Sequence, residues 1–113
     1  GRVSRSALNN SEMREIILFT NEHFAEKITV EKIAEKTGYS KFYFCEKFRS
    51  ASGITYHSYL NGVRISNACK LLSSGASVAE AAEKSGFCDP SYFIRSFKKI
   101  KGITPKQYVE TLK

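Results

Sequence analysis

The chain repeats itself. Residues 28–60 read ITVEKIAEKTGYSKFYFCEKFRSASGITYHSYL and residues 76–109 read ASVAEAAEKSGFCDPSYFIRSFKKIKGITPKQYV. At an offset of 48, Val30 falls on Val78, Ala34 on Ala82, Glu35-Lys36 on Glu83-Lys84, Gly38 on Gly86 and Tyr39 on Phe87. One extra residue in the second copy moves the offset to 49. Tyr43-Phe44 then falls on Tyr92-Phe93, Phe48 on Phe97, Gly53-Ile54-Thr55 on Gly102-Ile103-Thr104 and Tyr59 on Tyr108. Self-similarity this dense means one supersecondary unit used twice, so any fold for the chain must suit both copies.

Each copy is punctuated as two helices around a short turn. Thr29 and Ser77 are N-cap residue types, and Ser77-Val78-Ala79-Glu80 has the form of a capping box. Val30, Ile33 and Ala34 make an apolar stripe at helical spacing, and Val78, Ala81 and Ala82 repeat it. Gly38 and Gly86 are placed to stop these helices. Ser40 and Asp89 cap the second helix of each copy, with Pro90 at the first helical position, where its missing N–H costs nothing. Phe44 and Phe48, like Phe93 and Phe97, fall one turn apart on a face to be buried. Gly53 and Gly102 end those helices. Thr55 and Thr104 cap the helices beyond them, with Pro105 again at the first position.

The remaining sequence is also helical. Residues 11–26 place Met13, Ile16, Ile17, Thr20 and Phe24 on one stripe, a leading helix. Residues 56–73 run without proline through Tyr59, Leu60, Val63, Ala68, Leu71 and Leu72, a connector roughly 27 Å long. The expected fold is all-α: seven helices forming two helix-turn-helix subdomains joined by a long connector helix. The corresponding segments are a flexible N-terminal linker (1–10), a first helix-turn-helix subdomain (11–55), the connector helix (56–74) and a second helix-turn-helix subdomain (75–113).

In a helix-turn-helix the second helix lies in the major groove of DNA. Two such units on a stiff connector suit major-groove faces that recur every ~34 Å along one side of the duplex. The charge agrees. The chain has 18 basic and 11 acidic side chains, a net +7. Residues 89–113 alone carry Arg95, Lys98, Lys99, Lys101, Lys106 and Lys113 against Asp89 and Glu110. A basic surface favours a polyanion through counterion release.

The array Gly86-Phe87-Cys88-Asp89-Pro90-Ser91-Tyr92-Phe93-Ile94-Arg95-Ser96-Phe97-Lys98-Lys99-Ile100-Lys101-Gly102-Ile103-Thr104-Pro105-Lys106-Gln107-Tyr108 resembles the signature of the AraC/XylS family of bacterial transcription regulators. The resemblance extends over about residues 11–110, including Arg64 and Ala68-Cys69-Lys70-Leu71-Leu72 of the connector. It implies two helix-turn-helix units on adjacent major grooves of promoter DNA, contact with RNA polymerase, usually for activation, and a cytoplasmic, nucleoid-associated location in a bacterium. Members of this family usually carry an N-terminal sensing or dimerisation domain. Its absence here agrees with a chain whose only methionine is Met13, which suggests a fragment of a longer protein. Two places depart from the family pattern. Cys45 and Glu46 stand where recognition helices often carry Gln or Arg, and Val109 stands where a basic residue often follows the tyrosine.

Outward positions on the two second helices are the candidate base contacts. On the first these are Lys41, Phe42, Cys45, Glu46 and Arg49. Phe42 either meets a thymine methyl or packs partly in the core. Glu46 either accepts from a cytosine amino group or is a solvated charge near Arg49. On the second helix they are Pro90, Ser91, Ile94 and Arg95, and a guanidinium at Arg95 suits guanine O6 and N7. Thr29, Ser77, Lys98, Lys99 and Lys106 are candidate phosphate contacts, the first two because helix N-termini present N–H groups. Tyr43 and Tyr92 are expected to pack in the core or at the turn.

Other functions find little in the sequence. Cys45, Cys69 and Cys88 form no CxxC pair, and His23 and His57 lack zinc-ligand spacing, so reduced thiols and no metal or cofactor are expected. There is no glycine-rich phosphate loop and no HExxH, hence no enzyme is expected. No apolar run approaches the roughly 20 residues of a membrane span, so no membrane partner is expected. The alternative is a helical protein-interaction module, such as an anti-activator that keeps the fold without binding DNA.

Overall fold

The computed structural model describes residues 9–113, and among these it contains seven α-helices and no strand. They are α1 (Asn10–His23), α2 (Val30–Thr37), α3 (Lys41–Ser52), α4 (Tyr56–Ser73), α5 (Val78–Lys84), α6 (Pro90–Lys101) and α7 (Pro105–Thr111). The all-α, seven-helix expectation holds, and the two repeats fold as the pairs α2–α3 and α5–α6. The linker expected over 1–10 falls mostly outside the described residues; Asn9 precedes α1 and Asn10 begins it. No described helix is long and apolar enough to cross a membrane.

The polar residues at the helix starts act as caps. Thr29, Ser40, Ser77, Asp89 and Thr104 accept the amides of Lys32, Tyr43, Glu80, Ser91 and Gln107 respectively. Thr55 accepts the Ser58 amide at 3.1 Å. Gly38, Gly53 and Gly102 close α2, α3 and α6 in the left-handed region, where a side chain would strain the backbone.

Three local details differ from the sequence reading. First, α5 ends at Lys84 with Ser85 as its cap, and Gly86 (φ +99°) stands one residue farther on. Second, Glu80 gives its carboxylate mainly to Lys84 at 2.9 Å, with only a weak pull from the Ser77 amide, so that box is incomplete. A fully reciprocal box forms between Thr104 and Gln107, and another between Asn9 and Glu12, whose side chains each accept the other's amide at 2.8 and 3.2 Å. Third, α1 stops at His23 instead of continuing to residue 26. No proline or glycine stops it there. Arg64 binds the freed carbonyls of Phe24 (2.7 Å) and Glu26 (2.9 Å), so a side chain distant in sequence satisfies the end of the segment.

The described chain divides into two compact units, and the division falls inside α4, between Leu60 and Asn61. The first unit holds the described residues up to His23 together with Lys27–Leu60. Its core combines Ile16 and Thr20 of α1, Ile33 and Ala34 of α2, Phe44 and Phe48 of α3, and Tyr56 and Leu60 of α4. The Phe48 and Tyr56 rings meet edge to face at 5.4 Å, a favoured aromatic geometry. Thr20 donates to the Ile16 carbonyl at 2.8 Å, so its single proton is used. Tyr56 must therefore be the donor in the 2.6 Å bond between the two buried hydroxyls.

The second unit holds Phe24–Glu26 and Asn61–Lys113. Ile65, Ala68, Cys69 and Leu72 of α4 pack with Ala81, Ala82, Phe87, Phe93 and Phe97. Tyr108 of α7 closes the cluster, its ring 5.6 Å from Phe97. Burying each of these phenylalanines stabilises the unit by roughly 1.5–3 kcal/mol. Of the two matching positions in the first helix of each pair, Ala34 and Ala82 are identical, and Ala81 is smaller than Ile33.

Candidate nucleic-acid interface

The same phenylalanines that fill each core decide what α3 and α6 show to solvent. In α3, Phe44 and Phe48 are fully buried and one turn apart, which turns Lys41, Phe42, Cys45, Glu46 and Arg49 outward; all five are exposed. Phe42 is 79% exposed, so of its two expected positions it takes the solvent-facing one. In α6, Phe93 and Phe97 are buried and Pro90, Ser91, Ile94 and Arg95 are exposed. Thr29, Ser77, Lys98, Lys99 and Lys106 are exposed as well. Every candidate contact in the described chain is therefore accessible, grouped on α3 and the start of α2 in one unit and on α5, α6 and α7 in the other.

Electrostatics separate these residues. Lys41 Nζ lies 3.2 Å from Glu31, linking the starts of α3 and α2. The Glu31 carboxyl is held below its ordinary range, first by its own backbone amide and then by Lys41. The Lys41 charge is therefore already partly neutralised within the protein. Among the described residues Glu46 and Arg49 form no ion pair, so Glu46 is an open acceptor. Lys98, Lys99 and Lys101 sit in the last turn of α6, where the helix dipole also favours cations. Their charge thus has a structural use besides any phosphate contact.

Thr29 and Ser77 have their hydroxyl oxygens occupied as caps. Any contact they make with an anion runs through the hydroxyl proton or the neighbouring backbone N–H groups.

A set of supporting residues escaped the sequence reading. Tyr39 donates to Glu12 at 2.8 Å, and this carboxylate raises the tyrosine's pKa by resisting loss of the shared proton. The Tyr39 ring meets Tyr43 edge-on at 4.7 Å, and Lys47 Nζ lies 4.9 Å above the Tyr43 ring. In the second unit Tyr92 carries the Arg95 guanidinium 5.8 Å from its ring centre and accepts a bond from Asn61 at 2.7 Å. Aromatic–cation spacings of three or four residues were visible in the sequence. The partners Glu12 and Asn61, 27 and 31 residues away, were not.

Known proteins share this architecture. Residues 33–111 match a family described as a helix-turn-helix domain. The HTH-type transcriptional regulator YbfI of Bacillus subtilis is 39% identical over 83 residues, covering 74% of this chain and 30% of that protein. An HTH-type transcriptional regulator of Staphylococcus aureus is 29% identical over 106 residues, 93% of this chain and 14% of that protein. The chain thus spans under a third of the length of these curated relatives.

Among solved structures, the C-terminal domain of the two-component response regulator yesN from Fusobacterium nucleatum superposes with a TM-score of 0.83 at 33% identity. That match covers 88% of this chain and 99% of that one. The DNA-binding domain of AdpA, a global transcriptional factor solved with a target DNA, gives 0.82 at 29% identity, covering 88% and 91%. The repeat, the two helix pairs and these relatives converge: the chain belongs to the AraC-type helix-turn-helix family.

Proposed function

We propose that this chain binds double-stranded promoter DNA sequence-specifically, as the DNA-binding part of a bacterial transcription regulator, with α3 and α6 as its recognition helices. One observation carries the reading: both helices turn away from their buried phenylalanines an exposed set of side chains suited to base edges. Phe42 is the sharpest member. A phenylalanine 79% exposed on a polar helix gains nothing in the free protein and matches the methyl group of thymine. Arg95 matches the two acceptors of guanine, a contact worth ~1–3 kcal/mol of discrimination. Lys41, Cys45, Glu46 and Arg49 complete the first reading surface, and Pro90, Ser91 and Ile94 the second. Thr29, Ser77, Lys98, Lys99 and Lys106 hold phosphates.

The different outward residues of the two helices imply different half-sites and hence a fixed direction on the duplex. RNA polymerase contact, activation, a cytoplasmic location and an additional sensing or dimerisation domain extend the proposal. They are supported by the family and by relatives much longer than this chain.

Selection of binding sites from a randomised duplex pool, followed by titration against competitor DNA, tests the reading. Two distinct half-sites are expected, and Arg95→Ala should relax preference at one base pair. Failure to enrich any duplex, with the helices intact by circular dichroism, would instead favour a protein-interaction module.

A further inference from the structure

Tyr92 stands between a half-buried amide of α4 and the exposed guanidinium that faces outward from α6. Its hydroxyl accepts from Asn61 Nδ2 at 2.7 Å, and its ring lies 5.8 Å from Arg95 Cζ, within the range of an attractive cation–π contact. Tyr92 and Arg95 are three residues apart, so the helix places them on one face. The Asn61 amide is held there at a cost, because its Oδ1 is buried without a hydrogen-bond partner among the described residues. All three residues belong to the second unit. The first unit has a comparable ring and cation, Tyr43 beneath Lys47 at 4.9 Å, but Glu46 occupies the position matching Arg95.

An exposed arginine free to sample its rotamers gives up that freedom when it grips a base, and the loss subtracts from affinity and discrimination. A ring fixed at its hydroxyl end and offered to the guanidinium at its face reduces the freedom before DNA arrives. We infer that Tyr92, anchored by Asn61, is a positioning residue for Arg95 and sharpens its reading of a base. The role rests on Arg95 being a base contact, as proposed above.

The test uses the 113-residue chain, a duplex enriched from a randomised pool, and the same duplex altered at the base pair that Arg95→Ala ceases to read. Discrimination is the ratio of the two dissociation constants. Tyr92→Leu should lower it about threefold to fivefold and Asn61→Ala about twofold, the scale of an exposed cation–π contact. Tyr92→Phe, which keeps the ring, should retain more discrimination than Tyr92→Leu. In an Arg95→Ala background neither Tyr92→Leu nor Asn61→Ala should weaken binding to the enriched duplex further, whereas a merely structural role would weaken it there as well.

Losses that persist in that background, or unchanged discrimination in both single variants, overturn the positioning role while leaving Arg95 as a reader. If Arg95→Ala itself retains full sequence preference, the base-reading assignment falls and the positioning role with it. Should Tyr92→Leu lose its helical circular dichroism, Asn61→Ala and Tyr92→Phe decide the question.

Discussion

At the scale of single residues, Gly86 is the most tightly surrounded glycine among the described residues. Its φ of +99° disfavours any side chain, and a Cβ placed there would stand 2.7 Å from the Phe24 carbonyl oxygen and 2.8 Å from Arg64 Nε. These are the atoms of the bond that receives the chain after α1. Gly53 has a similar φ of +86° but open space around it. Gly86→Ala should therefore cost about 3 kcal/mol and Gly53→Ala about 1 kcal/mol in urea unfolding, the difference being the clash. Equal costs would show that Arg64 and the 24–26 segment yield without penalty. The Glu31–Lys41 pair gives a second prediction. Glu31→Gln removes a negative charge and the ion-pair partner of Lys41. DNA affinity should rise about twofold to fivefold at low salt, and the gain should fade as salt screens the exposed pair. A fall in affinity would mean that the pair orients Lys41 for binding.

At the scale of helices, caps and buried aromatics carry different amounts of stability. Asp89 caps α6 through the Ser91 amide at 3.1 Å, next to Pro90 and Ser91. Asp89→Ala should cost about 1 kcal/mol, as loss of an N-cap does. Phe97, fully buried between Phe93 and Tyr108, should cost about 3–5 kcal/mol as Phe97→Ala. Thermal unfolding of both variants checks the ordering, and a reversed order would place the stability of this unit in the cap. Helix starts were the most legible part of the sequence, because a cap is decided by a residue and the amide two or three positions later. Helix ends were less so. Past the His23 terminus the Phe24 and Glu26 carbonyls are taken by Arg64, and the incomplete Ser77 box depends on Glu80 preferring Lys84. The buried face of α4 was also read incompletely. Leu60, Ala68 and Leu72 are buried as expected, but so are Tyr56, Ile65 and Cys69, while Val63 and Leu71 stay half exposed. A helix whose residues serve two compact units has no single apolar stripe to find.

At the scale of the molecule, the net charge of +7 makes salt the controlling variable of any DNA complex. The logarithm of affinity should fall linearly with the logarithm of salt concentration, with a slope of about −0.9 for each phosphate neutralised. Lys98→Gln should weaken binding to all duplexes alike and reduce the slope by about 1, whereas Arg95→Ala should change sequence preference more than slope. A Lys98→Gln variant with an unaltered slope would confine Lys98 to stabilising the end of α6. The division between local and long-range information runs through the whole chain. The duplication is written in the sequence itself, and the seven helices, the N-caps and the outward faces of α3 and α6 are determined by it because each depends on residues within one or two helical turns. Only the tertiary structure decides that Arg64 takes the Phe24 and Glu26 carbonyls, that Gly86 has no room for a side chain, and that Glu12 and Asn61 bond Tyr39 and Tyr92. The hydrogen bonds among them join residues 27 to 40 positions apart, and no local pattern encodes which distant side chain arrives to make them.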